Sequence, residues 1–109
     1  MNKKITKILN KKNRSKIVSL TAYSKNIAKI LDRYCDIVLV GDSMANVLYG
    51  QKNTHKITLE NIIQHSLSVK KGINKSLFVV DMPKGTYKNI KSALKNAKII
   101  MKKTRCDAV

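Results

Sequence analysis

The sequence predicts an α/β chain of repeated βα units around a parallel sheet. Three observations point there. Short apolar runs at residues 17–20, 37–40 and 77–80 alternate with segments of helical periodicity. The stretch Cys35-Asp36-Ile37-Val38 is echoed by Cys106-Asp107-Ala108-Val109, each leading out of a helical pattern into an apolar run. Two of the runs close on an aspartate: Val40-Gly41-Asp42 and Val80-Asp81. Strands alternating with helices imply right-handed crossovers and a parallel sheet.

The elements follow in order. Residues 2–13 are polar, with Ile5, Ile8 and Leu9 at helical spacing, so residues 1–15 read as a short basic amphipathic helix or a frayed arm. The first strand covers 17–20 and ends at Thr21-Ala22-Tyr23. Ser24 is placed to cap a helix whose apolar face is Ile27, Ala28, Ile30 and Leu31. The second strand is 37–40. Residues 42–56 form a loop longer than a βα connection needs, with a helical turn expected at 44–49, and loops of that length tend to be functional. Thr58 is the next N-cap and Glu60 lies in the first turn, where its charge suits the helix dipole. That helix buries Ile62, Ile63 and Val69 and stops near Gly72. The third strand is 77–80. Asn89 caps a helix over 90–103, with Ile90, Ala93, Leu94, Ala97, Ile100 and Met101 as its apolar stripe. Its other face carries Lys88, Lys91, Lys95, Lys98 and Lys102, read as a solvated outer face. A fourth strand begins at 107–109.

A length of 109 residues suits one domain. No apolar run approaches the roughly 20 residues a membrane span needs. Lys3, Lys4 and Lys7 precede no apolar stretch, which argues against a secretory signal, and a cytoplasmic location is expected. The formal charge of +17 would suit nucleic acid or an anionic membrane. However, Lys, Asn and Ile make up 43 of 109 residues, a composition AT-rich codons produce unaided. Arg, whose fork matches guanine edges, stands only at positions 14, 33 and 105. No nucleic-acid or membrane partner is therefore expected. Cys35 and Cys106 form no CxxC and have no histidine at ligand spacing, so they read as buried reduced thiols.

Asp is a poor strand former, and a carboxylate closing a buried strand stands where barrels and open α/β sheets hold their ligands. Asp42 and Asp81 together suggest one site for a divalent metal or polar ligand. Carboxylates there suit Mg²⁺, which prefers oxygen ligands and can polarise the carbonyl of a 2-oxo acid. Ser43 can offer its hydroxyl to the same ligand.

Six pieces fall in order and at family-like intervals. They are Thr21-Ala22-Tyr23; Leu39-Val40-Gly41-Asp42-Ser43; Thr58-Leu59-Glu60 followed by His65; Asp81-Met82-Pro83 with Gly85 and Tyr87; Ala93 with Asn96-Ala97; and Asp107-Ala108-Val109. Together they resemble the N-terminal part of the ketopantoate hydroxymethyltransferases, from about Lys16 to Val109. The resemblance implies the N-terminal portion of a (βα)8 TIM-type barrel, over residues 16–109: three βα units and the start of strand four. It also implies transfer of a one-carbon unit from 5,10-methylenetetrahydrofolate to 3-methyl-2-oxobutanoate, in pantothenate synthesis, with Mg²⁺ and as a homo-oligomer. By position, Asp42 and Asp81 match the family's metal-site aspartates, and Asp42, Ser43 and Asp81 match residues contacting the oxo acid. The chain departs from the family pattern at Ala45, at Thr54-His55-Lys56-Ile57 and at Lys84, leaving both aspartates intact.

The resemblance further implies that the general base, and a Lys and Glu completing the ligand site, lie beyond Val109. No catalytic residue is then expected within the chain, which reads as a fragment inactive alone. His65 is assigned to packing or an interface on the barrel exterior, and His55 lies in the long loop with nothing to position it. Two rival readings are a metal-dependent barrel of the phosphoenolpyruvate mutase and isocitrate lyase type, and a small basic nucleic-acid-binding protein.

Overall fold

A computed structural model describes residues 2–109. In chain order its elements are α1 (Lys3–Leu9), β1 (Ser19–Thr21), α2 (Lys25–Leu31), β2 (Ile37–Val40), α3 (Met44–Val47), α4 (Leu59–Lys70), β3 (Leu77–Val80) and α5 (Ile90–Thr104). The three strands form one parallel sheet in the order β1-β2-β3. Ile37 pairs with Leu77 and Val40 with Val80 across β2 and β3. Ala108 makes a parallel bridge to Val79, and the Val80 N–H donates to its carbonyl at 3.1 Å. This single bridge lies where the sequence leads one to expect a fourth strand, and the sheet itself has three.

The core lies between the sheet and the helices. Val38, Val40, Phe78 and Val80 are fully buried, with Ala28, Ile62, Val69 and Ile100 supplying the helix side. Of the alternate strand residues on the opposite face, Ile37, Leu39 and Val79 are only half-buried, while Leu77 at the start of β3 is buried. The period-2 pattern thus separates a helix-covered face from an open one.

Helix caps follow local chemistry. Thr58 and Asn61 form a capping box at α4, and Asn89 and Ser92 form another at α5. Ser24 stands at the N-cap of α2 as expected, but its hydroxyl makes no capping bond. The first strand starts two residues later than the apolar run. The reason is that Val18 is engaged by Asp36, whose carboxylate accepts from the Val18 N–H at 3.0 Å and whose N–H donates to the Val18 carbonyl at 2.9 Å.

Two expected apolar stripes are buried only in part. On α2, Ala28 is buried but Ile27 and Ile30 are exposed. On α5, Ile100 is buried while Leu94 is exposed and Ile90 is 89% exposed. Each stripe is wider than the contact the sheet and α4 offer. Gly72 does end α4, though by a different route from a left-handed cap: a Cβ there would strike the Lys25 carbonyl and lie 2.8 Å from the Lys29 N. Its bare α-carbon lets α2 pack against the α4 terminus. The left-handed cap occurs instead at Arg105, after α5, with φ 53°.

The likeness between the Cys35 and Cys106 segments has a structural counterpart. Asp107, like Asp36, exchanges backbone and carboxylate bonds with the preceding strand: the Phe78 N–H donates to its carboxylate at 2.8 Å, and its own N–H donates to the Phe78 carbonyl at 2.8 Å. The N-terminal helix region reaches both aspartates. Lys11 pairs with Asp36 at 2.6 Å, Lys4 with Asp107 at 3.6 Å, and the Asn2 amide donates to Asp107 at 2.6 Å. α1 and the turn after it therefore tie down the N-terminal ends of the strands. Cys35 and Cys106 are free, buried thiols, each raised above the ordinary thiol pKa chiefly by burial.

Candidate functional site

The opposite, C-terminal end of the sheet carries the two aspartates singled out in the sequence. The β2–β3 register, extended by one residue, sets Gly41 beside Asp81, and the Asp81 N–H donates to the Val40 carbonyl at 2.9 Å. Asp42 follows one step further along. Its N–H donates to Asp81 Oδ2 at 3.4 Å, and the Met82 N–H donates to Asp81 Oδ1 at 3.0 Å. The pair thus meets across adjacent strand ends, half-buried.

The contrast with the other aspartates is chemical. Asp32 accepts backbone N–H bonds from Asn74, Lys75 and Ser76. Asp36 and Asp107 are held by backbone N–H groups and lysines. Among the described residues, no lysine or arginine pairs with Asp42 or Asp81, in a chain of charge +17. The Asp42 backbone reaches the Asp81 carboxylate, and a pair of strand-end aspartates without a neutralising cation suits a hard divalent ion. Gly41 stands between Ser43 and Asp81: a Cβ there would lie 3.7 Å from Ser43 Oγ and 3.8 Å from Asp81 Oδ2. The donor set fits Mg²⁺, which keeps several waters and needs only one or two carboxylates. No group of three or more His, Cys, Asp or Glu able to hold a metal occurs among the described residues.

Ser43 opens α3, and its Oγ lies 2.6 Å from the Tyr23 hydroxyl. Tyr23 comes from the loop after β1, so three successive strand ends converge. Met44 and Ala45, fully buried, anchor the start of the long loop beneath them. His65 stands on α4, packed against Tyr49 and bonded to the Tyr23 carbonyl. His55 is exposed, with its backbone N–H on Asn53 Oδ1. The sequence singled out Asp42, Ser43 and Asp81, which the structure brings to one end of the sheet, and did not anticipate the Tyr23–Ser43 bond. Only the adjacency of Thr21-Ala22-Tyr23 to a strand end hinted at it.

A model of the ketopantoate hydroxymethyltransferase family matches residues 2–109. The chain belongs to the ketopantoate hydroxymethyltransferase family. Relatives named 3-methyl-2-oxobutanoate hydroxymethyltransferase agree. That of Pelagibacter ubique is 62% identical over 109 residues, the whole of this chain and 42% of the relative. That of Rhizobium rhizogenes is 49% identical over 94 residues, 85% of this chain and 34% of the relative. That of Anaplasma marginale is 46% identical over 99 residues, 91% of this chain and 36% of the relative. The chain thus spans about two fifths or less of the length of these relatives. Of the families weighed in the sequence, it is the ketopantoate hydroxymethyltransferases that the family model matches. No helix among the described residues is long and apolar enough to cross a membrane.

Proposed function

We propose that this chain supplies the metal and oxo-acid half of a 3-methyl-2-oxobutanoate hydroxymethyltransferase site, on the first strands of a (βα)8 barrel. In this reading the whole protein transfers a hydroxymethyl group from 5,10-methylenetetrahydrofolate to 3-methyl-2-oxobutanoate, giving 2-dehydropantoate, as a cytoplasmic homo-oligomer. The observation that carries it is the meeting of Asp42 and Asp81 at neighbouring strand ends without a cation partner among the described residues. The open sheet face, lined by Ile37, Leu39 and Val79, supports the barrel, because a barrel's interior is filled by alternate strand residues.

Asp42 and Asp81 would hold Mg²⁺, which when bound supplies a Lewis acid for the 2-oxo carbonyl. Asp81 is oriented for this by the Met82 and Asp42 N–H groups, which occupy part of its acceptor capacity and fix its plane. Ser43 would donate its hydroxyl to the oxo acid and fix its orientation. Half-burial of all three side chains strengthens these contacts relative to open water. The base that removes a proton from the oxo acid is not among Asp42, Ser43 and Asp81 in this reading.

The test is calorimetric titration of Mg²⁺ and of 3-methyl-2-oxobutanoate into the protein and its Asp81→Asn variant. Loss of a direct ligand should weaken both by at least about tenfold, the lower end of what outer ligand partners alone contribute. Unchanged affinity for both removes Asp81 from the site.

A further inference from the structure

Tyr49, His65 and Tyr23, outside the aspartate pair, are linked to Ser43 by hydrogen bonds at either end of Tyr23, its backbone carbonyl and its phenol. The Tyr23 hydroxyl lies 2.6 Å from Ser43 Oγ. The Tyr23 carbonyl accepts from His65 Nδ1 at 3.0 Å. His65 Nε2 lies 2.7 Å from the Tyr49 hydroxyl, with the two rings edge to face at 6.0 Å. A carbonyl can only accept, so in the neutral ring Nδ1 carries the hydrogen and Nε2 accepts from Tyr49. These bonds join α4, the loop after β1 and the segment after α3, three parts distant in sequence. His65 is half-buried, beside the fully buried Ser66 on a helix whose inner face is Ile62, Ile63 and Val69. Its backbone is therefore fixed by packing, and the imidazole transmits that rigidity outward.

The direction of the Tyr23–Ser43 bond decides what Ser43 can do. If Ser43 donates to Tyr23, it has no hydrogen left for a ligand. If Tyr23 donates to Ser43 Oγ, the serine hydrogen is free to point at an anionic group beside Asp42. A phenol is the more acidic donor, and an approaching carboxylate selects the second arrangement. We infer that His65 is a positioning residue for oxo-acid binding: it clamps the Tyr23 backbone and so keeps the phenol within reach of Ser43 Oγ, where donation from the phenol leaves the serine hydrogen free for the ligand, while its bond to Tyr49 ties the long loop to the same end of the sheet. This inference rests on the reading of Ser43 and Asp42 as oxo-acid ligands.

The experiment is a titration of 3-methyl-2-oxobutanoate into the Mg²⁺-loaded protein and into His65→Ala, His65→Gln, Tyr23→Phe, Ser43→Ala and the His65→Ala/Ser43→Ala double variant. Tyr23→Phe and His65→Ala should each weaken binding by about fivefold or more, the worth of one ordered hydrogen bond. Gln can donate to the Tyr23 carbonyl and accept from Tyr49, so His65→Gln should recover most of the loss. In the Ser43→Ala background, His65→Ala should cost less than about twofold, because its effect runs through Ser43. A merely structural histidine would give the same loss with or without Ser43, and that additivity overturns the inference. Wild-type affinity in both His65→Ala and Tyr23→Phe, with Ser43→Ala and Asp81→Asn weakened, overturns it while sparing the proposed site. Wild-type affinity in Ser43→Ala and Asp81→Asn removes the site itself and the positioning role with it. If His65→Ala does not fold, Tyr23→Phe, which deletes one oxygen, enters the same cycle with Ser43→Ala.

Discussion

Replacing Asp32 with alanine should be among the most damaging single changes outside the core. Asp32 is 8% exposed at the end of α2, and its carboxylate accepts from the N–H groups of Asn74, Lys75 and Ser76 at 2.8–3.1 Å. It thereby pins α2 to the turn that launches β3 and fixes the crossover that makes β2 and β3 neighbours. Asn74 and Lys75 are exposed residues, where water can replace the lost acceptor, so each bond is worth about 0.5–1 kcal/mol. Ser76 is 1% exposed, and stranding its N–H costs about 1–3 kcal/mol. The total is about 2–5 kcal/mol, a large share of the roughly 5–15 kcal/mol that holds a domain folded. Urea unfolding followed by circular dichroism reads it as a lower midpoint at unchanged slope. A midpoint shift equivalent to less than about 0.5 kcal/mol would refute the clamp.

The same carboxylate gives a pH signature. Burial pushes the Asp32 pKa up, but the backbone N–H bonds from Ser76, Lys75 and Asn74, with the Ser76 hydroxyl, together outweigh it and hold the group below its ordinary 3.8. A depressed folded pKa means that the stabilisation is fully present above the unfolded value and is lost as pH falls through the folded one. The stability gap between the protein and Asp32→Asn should therefore be constant at neutral pH and shrink below about pH 4. Asp36 is lowered mainly by Lys11 and the Val18 N–H; at Asp107 burial is the largest single effect and pushes the pKa up, but the Phe78 N–H, Asn2, Lys4 and Lys70 together outweigh it and lower it. Both are unchanged in the variant and cancel from the difference.

Gly72→Ala should destabilise by about 1–3 kcal/mol, because the new methyl group meets the backbone of Lys25 and Lys29 rather than movable side chains; thermal unfolding reads this directly, and a neutral result would show that α2 is free to shift. Thr58→Ala should cost about 1 kcal/mol through loss of the bond to the Asn61 N–H, whereas Ser24→Ala, which loses no capping bond, should stay within about 0.5 kcal/mol. Equal costs for the two substitutions would contradict the capping assignment.

Local signals made much of the architecture legible. β2 and β3 were plain because four consecutive apolar residues are bounded by polar ones, and α4 because a capping threonine precedes a clean apolar face. Asp42 and Asp81 stood out for a related reason: a carboxylate closing a buried strand goes against strand propensity. What could not be read depended on long-range pairing. Asp32 looked like an ordinary helix-end residue, and its partners lie 42–44 residues away. The roles of Asp36 and Asp107 required the register of the sheet, and the contacts from Asn2, Lys4 and Lys11 required knowing where α1 docks. The Tyr23–Ser43 and His65 bonds join segments that no periodicity connects. Helical periodicity also overstated burial at Ile27, Ile30, Ile90 and Leu94, since spacing defines a face but not how much of it another element covers.

The most direct test of the account is the coupling between metal and oxo acid at the two strand-end aspartates. Titrating 3-methyl-2-oxobutanoate into the protein with saturating Mg²⁺, and again after chelation of the metal, should give an affinity at least about tenfold lower without Mg²⁺, the coupling that the proposed site requires. Equal affinities under the two conditions would contradict a shared metal and oxo-acid site at Asp42 and Asp81.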